Sequence, residues 1–354
     1  MTDALEALVS GLIEPEQGSA AVLLAARSGR VTRAIALGAT RSWDAPGVPA
    51  PAPRPVDLDT RFDLASITKA FTAAALLAEL DRLGRDPSFL LADALPEFRE
   101  PRYRALTVAH LLSHTAGFPA EWHDRDPDPD AARFRATSRP VLPPGTVHRY
   151  SCVGFIWAGI LAAELAGEPL DSLVARRVLD PLGLADTGYR PAAAERTGIA
   201  ATEYQPGRGL VQGVVHDETA FAFGGVSGNA GLFGTAPDLL RFAEALRRHE
   251  TSSLGPRVTA WLTEPVTVPG GTTRPAGHFP TLGLRSDDVW MSALPARTVG
   301  HGGFTGTAFL TEPCGERSLV LLTNRVHPLR PSESSGRLWG PVIAGLLMSE
   351  RGHQ

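Results

Sequence analysis

Runs with strand character stand at the two ends of this chain and are missing from its middle, and that placement constrains the fold more than any single motif. Near the start, SAAVLLAARSG and VTRAIALGAT read as an antiparallel hairpin, joined by a Ser-Gly turn between Arg27 and Arg30. Strands return past residue 275, in TLGLRSDDVWMSA, RTVGHGGFTGTAFLTEP and SLVLLTNRV, before a closing helix around GRLWGPVIAGLLMSE. The stretch between is helical. SITKAFTAAALLAELDRLG is apolar almost all round, hence buried, and stops at Gly84. LTVAHLLSHTAGF, VGFIWAGILAAELAG (ending at Gly167) and TAPDLLRFAEALRR (with Thr235 as N-cap) follow it. These elements predict an α+β fold: one antiparallel sheet built from both termini and flanked by helices, with an inserted, mostly helical subdomain. The α/β part should take in about residues 1–60 and 250–354, the helical part about 66–245, within one domain.

Two further stretches read as loops. PGVPAPAPRPV should stay out of any sheet, because proline has no N–H to donate. PAEWHDRDPDPDAARFRATSRP is charged and proline-rich and reads as a loop or lid. The opening MTDALEALVSGLIEPEQ starts with acids and reads as an amphipathic helix, not a signal peptide. No apolar run is long enough to span a bilayer, and a net charge of -4 gives no electrostatic case for nucleic acid. Two cysteines, Cys152 and Cys314, suggest reduced thiols in a cytoplasmic protein. No metal is expected: His110 and His114 stand four apart, but the glutamate of H-E-x-x-H and a third ligand are missing, so packing or capping is their reading. Nor is a cofactor expected.

Of the 34 basic residues, one is a lysine, Lys69, three residues after Ser66. Ser-x-x-Lys at the start of a buried helix puts both side chains on one face, one turn apart. A serine hydroxyl is a weak nucleophile until a base takes its proton, and lysine can serve where desolvation disfavours its charge. Arginine, which stays protonated, could not. The helix N-terminus would also favour an oxyanion beside Ser66.

Two more motifs follow in order: Tyr150 and Cys152 in GTVHRYSCVGF, and His301-Gly302-Gly303 in VGHGGFTG. The series resembles the S-x-x-K, Y-x-N and K-T-G motifs of the serine β-lactamase and penicillin-binding-protein superfamily, specifically its class C and family VIII esterase branch. PLGLADTGYRP and GGVSGNAGLFGTAPDLLRFAEAL resemble that branch too, so the likeness spans nearly the whole chain. It implies a β-lactamase/transpeptidase-like catalytic domain that acylates Ser66, with Lys69 and the Tyr150 phenol moving the proton and the N–H groups of Ser66 and Phe304 forming the oxyanion hole. Cys152, His301, Gly302 and Gly303 would line the substrate, Gly303 being small so that substrate can lie along the strand edge.

Two departures point away from lactams and peptides. His301 stands where the K-T-G lysine would hold a carboxylate, and Cys152 replaces the amide of Y-x-N. The implied function is a carboxylesterase or acyltransferase on small-molecule esters or amides, with a β-lactamase or D-amino-acid peptidase or amidase as alternative, and a non-catalytic penicillin-binding-like sensor as a second. An α/β-hydrolase is set aside: its HGG-type motif precedes the nucleophile, whereas here every suitable serine comes before His301, and GVSGN misses G-x-S-x-G.

Overall fold

A hairpin starts the sheet. Strands β1 (Ala20–Arg27) and β2 (Arg30–Gly38) turn through Ser28 and Gly29, both left-handed (φ 51 and 80), the turn shape that matches the twist of a two-residue hairpin. The computed structural model describes residues 4–13, 18–123, 130–269, 280–286, 289–291, 294–295, 297–332 and 336–351. Strands β3 (Val299–Gly302), β4 (Ala308–Thr311) and β5 (Arg317–Thr323) return from the other end of the chain. The order is β3-β4-β5-β1-β2, antiparallel throughout, with Ala21 opposite Thr323 and Arg27 opposite Arg317.

β1 is buried on both faces, which is why it reads as one continuous apolar run. Ala20, Val22, Leu24 and Ala26 point into one core, and Ala21, Leu23 and Ala25 into another. The second core is closed by Leu5 and Val9 of helix α1 (Ala4–Ser10) and by Trp339, Val342 and Ile343 of the terminal helix. The first, larger core receives α2 (Thr68–Arg82), α3 (Cys152–Ala166) and α5 (Ala236–Arg247), with the short α4 (Glu218–Ala222) before α5 and the terminal α6 (Gly336–Arg351) on the opposite face. Phe71 of α2 stacks on Phe242 of α5, ring centroids 4.2 Å apart, so α2 touches protein on every side as its composition predicts. α5 also packs on β4 and β5, which ties the end of the helical stretch to the sheet. Gly167 (φ 67) ends α3, and the Thr235 hydroxyl caps α5 by accepting from Asp238 N.

Several local expectations need correction. The proline-rich stretch does pair: Val48–Pro49 forms a small ribbon with Trp43–Ala45, Ala50 N donates to Ser42 O, and Arg54 O accepts from Thr40 N. Proline removes a donor but leaves its carbonyl and its neighbours' N–H groups available, which is enough for a short edge. The described residues of TLGLRSDDVWMSA form no strand, residues 287–288 and 292–293 lying outside them. Arg285 makes one bridge to Gly300, Gly283 is left-handed (φ 98), and a 3₁₀ turn covers Val289–Met291. The supposed lid contains a helix, Ala131–Thr137, capped by Asp130, while residues 124–129 lie outside the described residues. The expected amphipathic opening helix is present as α1, its first three residues and residues 14–17 lying outside the described ones. His301-Gly302 closes β3.

Candidate active site

Ser66 sits in a 3₁₀ turn, Ala65–Ile67, that feeds directly into α2. Ala65 is held left-handed at φ 45, a conformation disfavoured for any residue with a Cβ. The buried Asp63 carboxylate sustains it, accepting from Ala65 N at 2.8 Å and from His216 N at 2.7 Å. Burial pushes Asp63 above its ordinary value, and the neighbouring His216 only partly offsets that. The turn is bolted to the sheet as well: Thr305 Oγ1 donates to Asp63 O at 2.8 Å, and Thr307 Oγ1 to Leu64 O at 3.3 Å.

Lys69, fully buried, donates to Ser66 Oγ at 2.9 Å and to the Asn229 carbonyl at 3.1 Å. Its charge state departs from the sequence reading, which required burial to neutralise it. Burial works against the ammonium, but the acidic groups around it, Cys152 first and then Tyr150 and Asp217, outweigh that and hold Lys69 above its ordinary value. The Cys152 thiol is itself pushed up by burial and keeps its proton, so the Asp217 carboxylate is the steady part of that pull.

Tyr150 faces the same amine, whose Nζ lies 5.0 Å from the phenol ring centroid. The ring rests on His114, centroids 4.6 Å apart. Burial, helped by the charges of Lys69 and Arg285, holds His114 well below its ordinary value, and its Nδ1 accepts from Ser151 N at 3.1 Å. His114 therefore packs and orients the Tyr150 segment, while His110 completes a capping box with Thr107, in keeping with the structural reading of both histidines. Tyr150 and Cys152 belong to different local structures. The chain turns at Ser151, the N-cap of α3, and Cys152 is that helix's first residue, yet both side chains reach Lys69.

On the sheet side, His301 is buried, its Nδ1 lies 2.8 Å from the Gly302 carbonyl, and its Nε2 has no hydrogen-bond partner among the described residues. Burial, then the charges of Lys69 and Arg285, hold the imidazole well below its ordinary value, so it is neutral. The backbone N–H of Phe304 has no hydrogen-bond partner among the described residues, and its ring is 47% exposed at the rim, stacked on His216 at 5.5 Å. Protein packs close against both glycines, which leaves neither position room for a side chain. A Cβ on Gly302 would lie 2.3 Å from the Trp339 ring, and one on Gly303 would lie 2.6 Å from Leu64 O.

The sequence reading missed Arg285, whose guanidinium carbon lies 5.1 Å from the Tyr150 ring centroid. It missed the backing groups too. Asp217 caps α4 at Ala220 N (2.7 Å) and accepts from Asn229 Nδ2 (3.3 Å), steadying the residue whose carbonyl holds Lys69. Behind Phe304, Glu203 bonds His216 Nε2 at 3.0 Å and Arg330 Nε at 2.7 Å. Burial opposes the Glu203 carboxylate, but those bonds win and bring it down to about 2. Among the described residues no three side chains group as metal ligands.

Comparison with known proteins agrees with this geometry. A family model described as Beta-lactamase matches residues 5–340. The chain is 29% identical to an N-acetylmuramyl-L-alanine amidase of Bacillus subtilis, covering 87% of this chain and 77% of that protein. It is 28% identical to a putative D-alanyl-D-alanine carboxypeptidase of Escherichia coli, covering 86% and 78%. Among solved structures, EstCE1, a hydrolase with promiscuous acyltransferase activity, superposes with a TM-score of 0.74 at 22% identity over 97% of each chain, a likeness of fold.

Proposed function

Because the chain belongs to the Beta-lactamase family, whose members are serine hydrolases, we propose that it acts through an acyl-enzyme on Ser66 and takes small-molecule esters or amides. The observation that carries the reading is the 2.9 Å contact between Ser66 Oγ and the buried Lys69 amine, at the head of α2 and facing Tyr150. Ser66 Oγ attacks the acyl carbonyl, its proton passes to the coupled Lys69–Tyr150 pair, which must enter the step one proton short, and the refilled pair gives that proton to the departing alcohol or amine. The N–H groups of Ser66 and Phe304 receive the oxyanion. Water, or a second alcohol or amine, then attacks the acyl-enzyme and frees Ser66.

Esters and plain acyl groups suit the site better than cephalosporins, because neutral His301 supplies no cation and Cys152 offers only a weakly bonding thiol. Arg285 favours a second reading, a peptidase or amidase for carboxylate-bearing D-amino-acid substrates, since its guanidinium stands by Tyr150 where the third motif has lost its lysine. One panel of p-nitrophenyl esters, nitrocefin and D-amino-acid amides, run on wild type, Tyr150→Phe and Ser66→Ala, tests both. Intact mass with a slow ester should show one acyl adduct on wild type, and an equal adduct on Ser66→Ala would overturn the assignment. Tyr150→Phe should lose about 10²- to 10⁴-fold in turnover. Nitrocefin turnover matching the best ester would remove the preference for esters.

A further inference from the structure

We propose a second ligand site, a cavity of about 310 Å³ between α4 and the segment that follows the short strand Gly188–Tyr189, which takes a small monoanion with an apolar body, such as an aryl or short-chain carboxylate. None of Ser66, Lys69, Tyr150 or His301 lines it, and its volume is at the lower end of ligand pockets, about 300–1,000 Å³. The charge of the lining is one-sided. Arg190 and Arg196 reach it and no aspartate or glutamate does. Val215 and Phe233, both buried, and Phe221, 46% exposed, supply apolar surface.

Both arginines are exposed, but their stems rest on glycines of the cavity wall. The stem of Arg196 lies on Gly213 (φ 63), where a Cβ would come within 2.5 Å of Arg196 Cγ. The stem of Arg190 lies on Gly225 (φ 89), where a Cβ would be 3.2 Å from Arg190 Cγ. Arg190 is itself left-handed at φ 50, a conformation that a residue with a Cβ keeps only where its surroundings impose it, as at ligand clamps. Arg190 has Asp171 as its ion-pair partner, whereas no carboxylate among the described residues pairs with Arg196. One guanidinium charge is thus left over at the cavity, which selects a monoanion over a phosphate dianion. The planar donor fork matches a carboxylate, and the rings take the aryl or alkyl body.

Titration of the full chain with 4-fluorobenzoate and neutral 4-fluorobenzamide, followed by fluorine NMR, tests this without relying on turnover. Benzoate should bind saturably and benzamide at least about tenfold more weakly. Arg196→Gln, a change at an exposed side chain, should weaken benzoate by about tenfold or more, and Arg196→Lys, which keeps the charge but not the planar fork, should restore only part of that loss. Arg285→Gln should leave it within about twofold. Absence of saturable benzoate binding, equal binding of the amide, or loss on Arg285→Gln with Arg196→Gln unaffected would overturn the proposal, the last by placing the anion in the Ser66 cleft. Failure of the Ser66 assignment would leave this result untouched, because no arm depends on acylation.

Discussion

Replacing Gly303 by alanine should damage turnover as well as folding, because the new methyl would press on the turn that carries Ser66. Its Cβ would sit 2.2 Å from Thr307 Oγ1 and 2.6 Å from Leu64 O. The threonine hydroxyl can rotate away, giving up its 3.3 Å bond to Leu64 O at about 1 kcal/mol. The Leu64 carbonyl is backbone and cannot rotate, so relief to about 3.4 Å, the onset of ordinary contact, requires the strand and the turn to part by about 0.8 Å. That gap opens between Phe304 and Ser66, whose N–H groups are the proposed oxyanion donors. Misplacement by about 1 Å typically costs about 10²-fold, so kcat should fall by about that factor, roughly 2.7 kcal/mol of barrier. Overpacking alone should cost about 1–3 kcal/mol of stability. Gly302→Ala is the control, since its Cβ would strike the Trp339 ring, 2.3 Å away on the far face, and should cost comparable stability with little loss of kcat among folded molecules. Paired measurements of ester kcat, fluorophosphonate labelling rate and urea unfolding separate the two. If Gly303→Ala keeps its turnover while Gly302→Ala loses it, Gly303 does not brace the nucleophile's turn.

Arg285→Gln should raise the pH at which His301 titrates, read from its imidazole NMR signals, because one of the two cations that hold it down is gone; it should also depress D-amino-acid substrates more than p-nitrophenyl esters. Asp217→Asn keeps a good helix cap but removes a charge that holds Lys69 protonated, so Lys69 should release its proton at lower pH. If the ammonium is the working form, the alkaline loss of activity moves to lower pH; a gain in activity at high pH instead would show that the neutral amine works. Glu203, lowered from 4.5 to about 2, contributes stability that is present above about pH 4.5 and lost as pH falls toward 2, worth about 3 kcal/mol. Urea unfolding of Glu203→Gln should therefore show a deficit of up to that size at pH 7 that closes below pH 4.5, and a deficit independent of pH would rule out the Glu203 charge as its origin.

The sheet was legible because β1 is buried on both faces and spells it out as an unbroken apolar run, and α2 because it touches protein all round. The Ser66–Lys69 contact was legible because helical spacing alone fixes it at one turn. What sequence could not supply was anything set by neighbours far along the chain. The motif does not reveal that Trp339 and Leu64 crowd Gly302 and Gly303. Arg285 was hidden because its segment reads as a strand, and only the single bridge to Gly300 shows which way it is carried. Asp63 offered a faint signal, an acid in an otherwise apolar FDLAS stretch immediately before the nucleophile, where a buried carboxylate needs N–H partners and finds them at Ala65 and His216.

The reason that the sequence suggests for the lone lysine is incomplete. Arginine is barred from position 69 if the amine must lose its proton, but Lys69 is held above its ordinary value by the acids around it, so a labile proton alone does not explain the choice. Shape is the stronger constraint. A single ammonium nitrogen lies 2.9 Å from Ser66 Oγ and 3.1 Å from the Asn229 carbonyl, in a slot with no solvent exposure. Its three donors radiate from one atom, so it can serve a hydroxyl, a carbonyl and a phenol at once. A guanidinium spreads its donors over a plane three atoms wide, and in a fully buried slot that width would displace either Ser66 or the Asn229 strand entry. The position therefore demands a compact cation before it demands a labile proton, and both demands are met only by lysine.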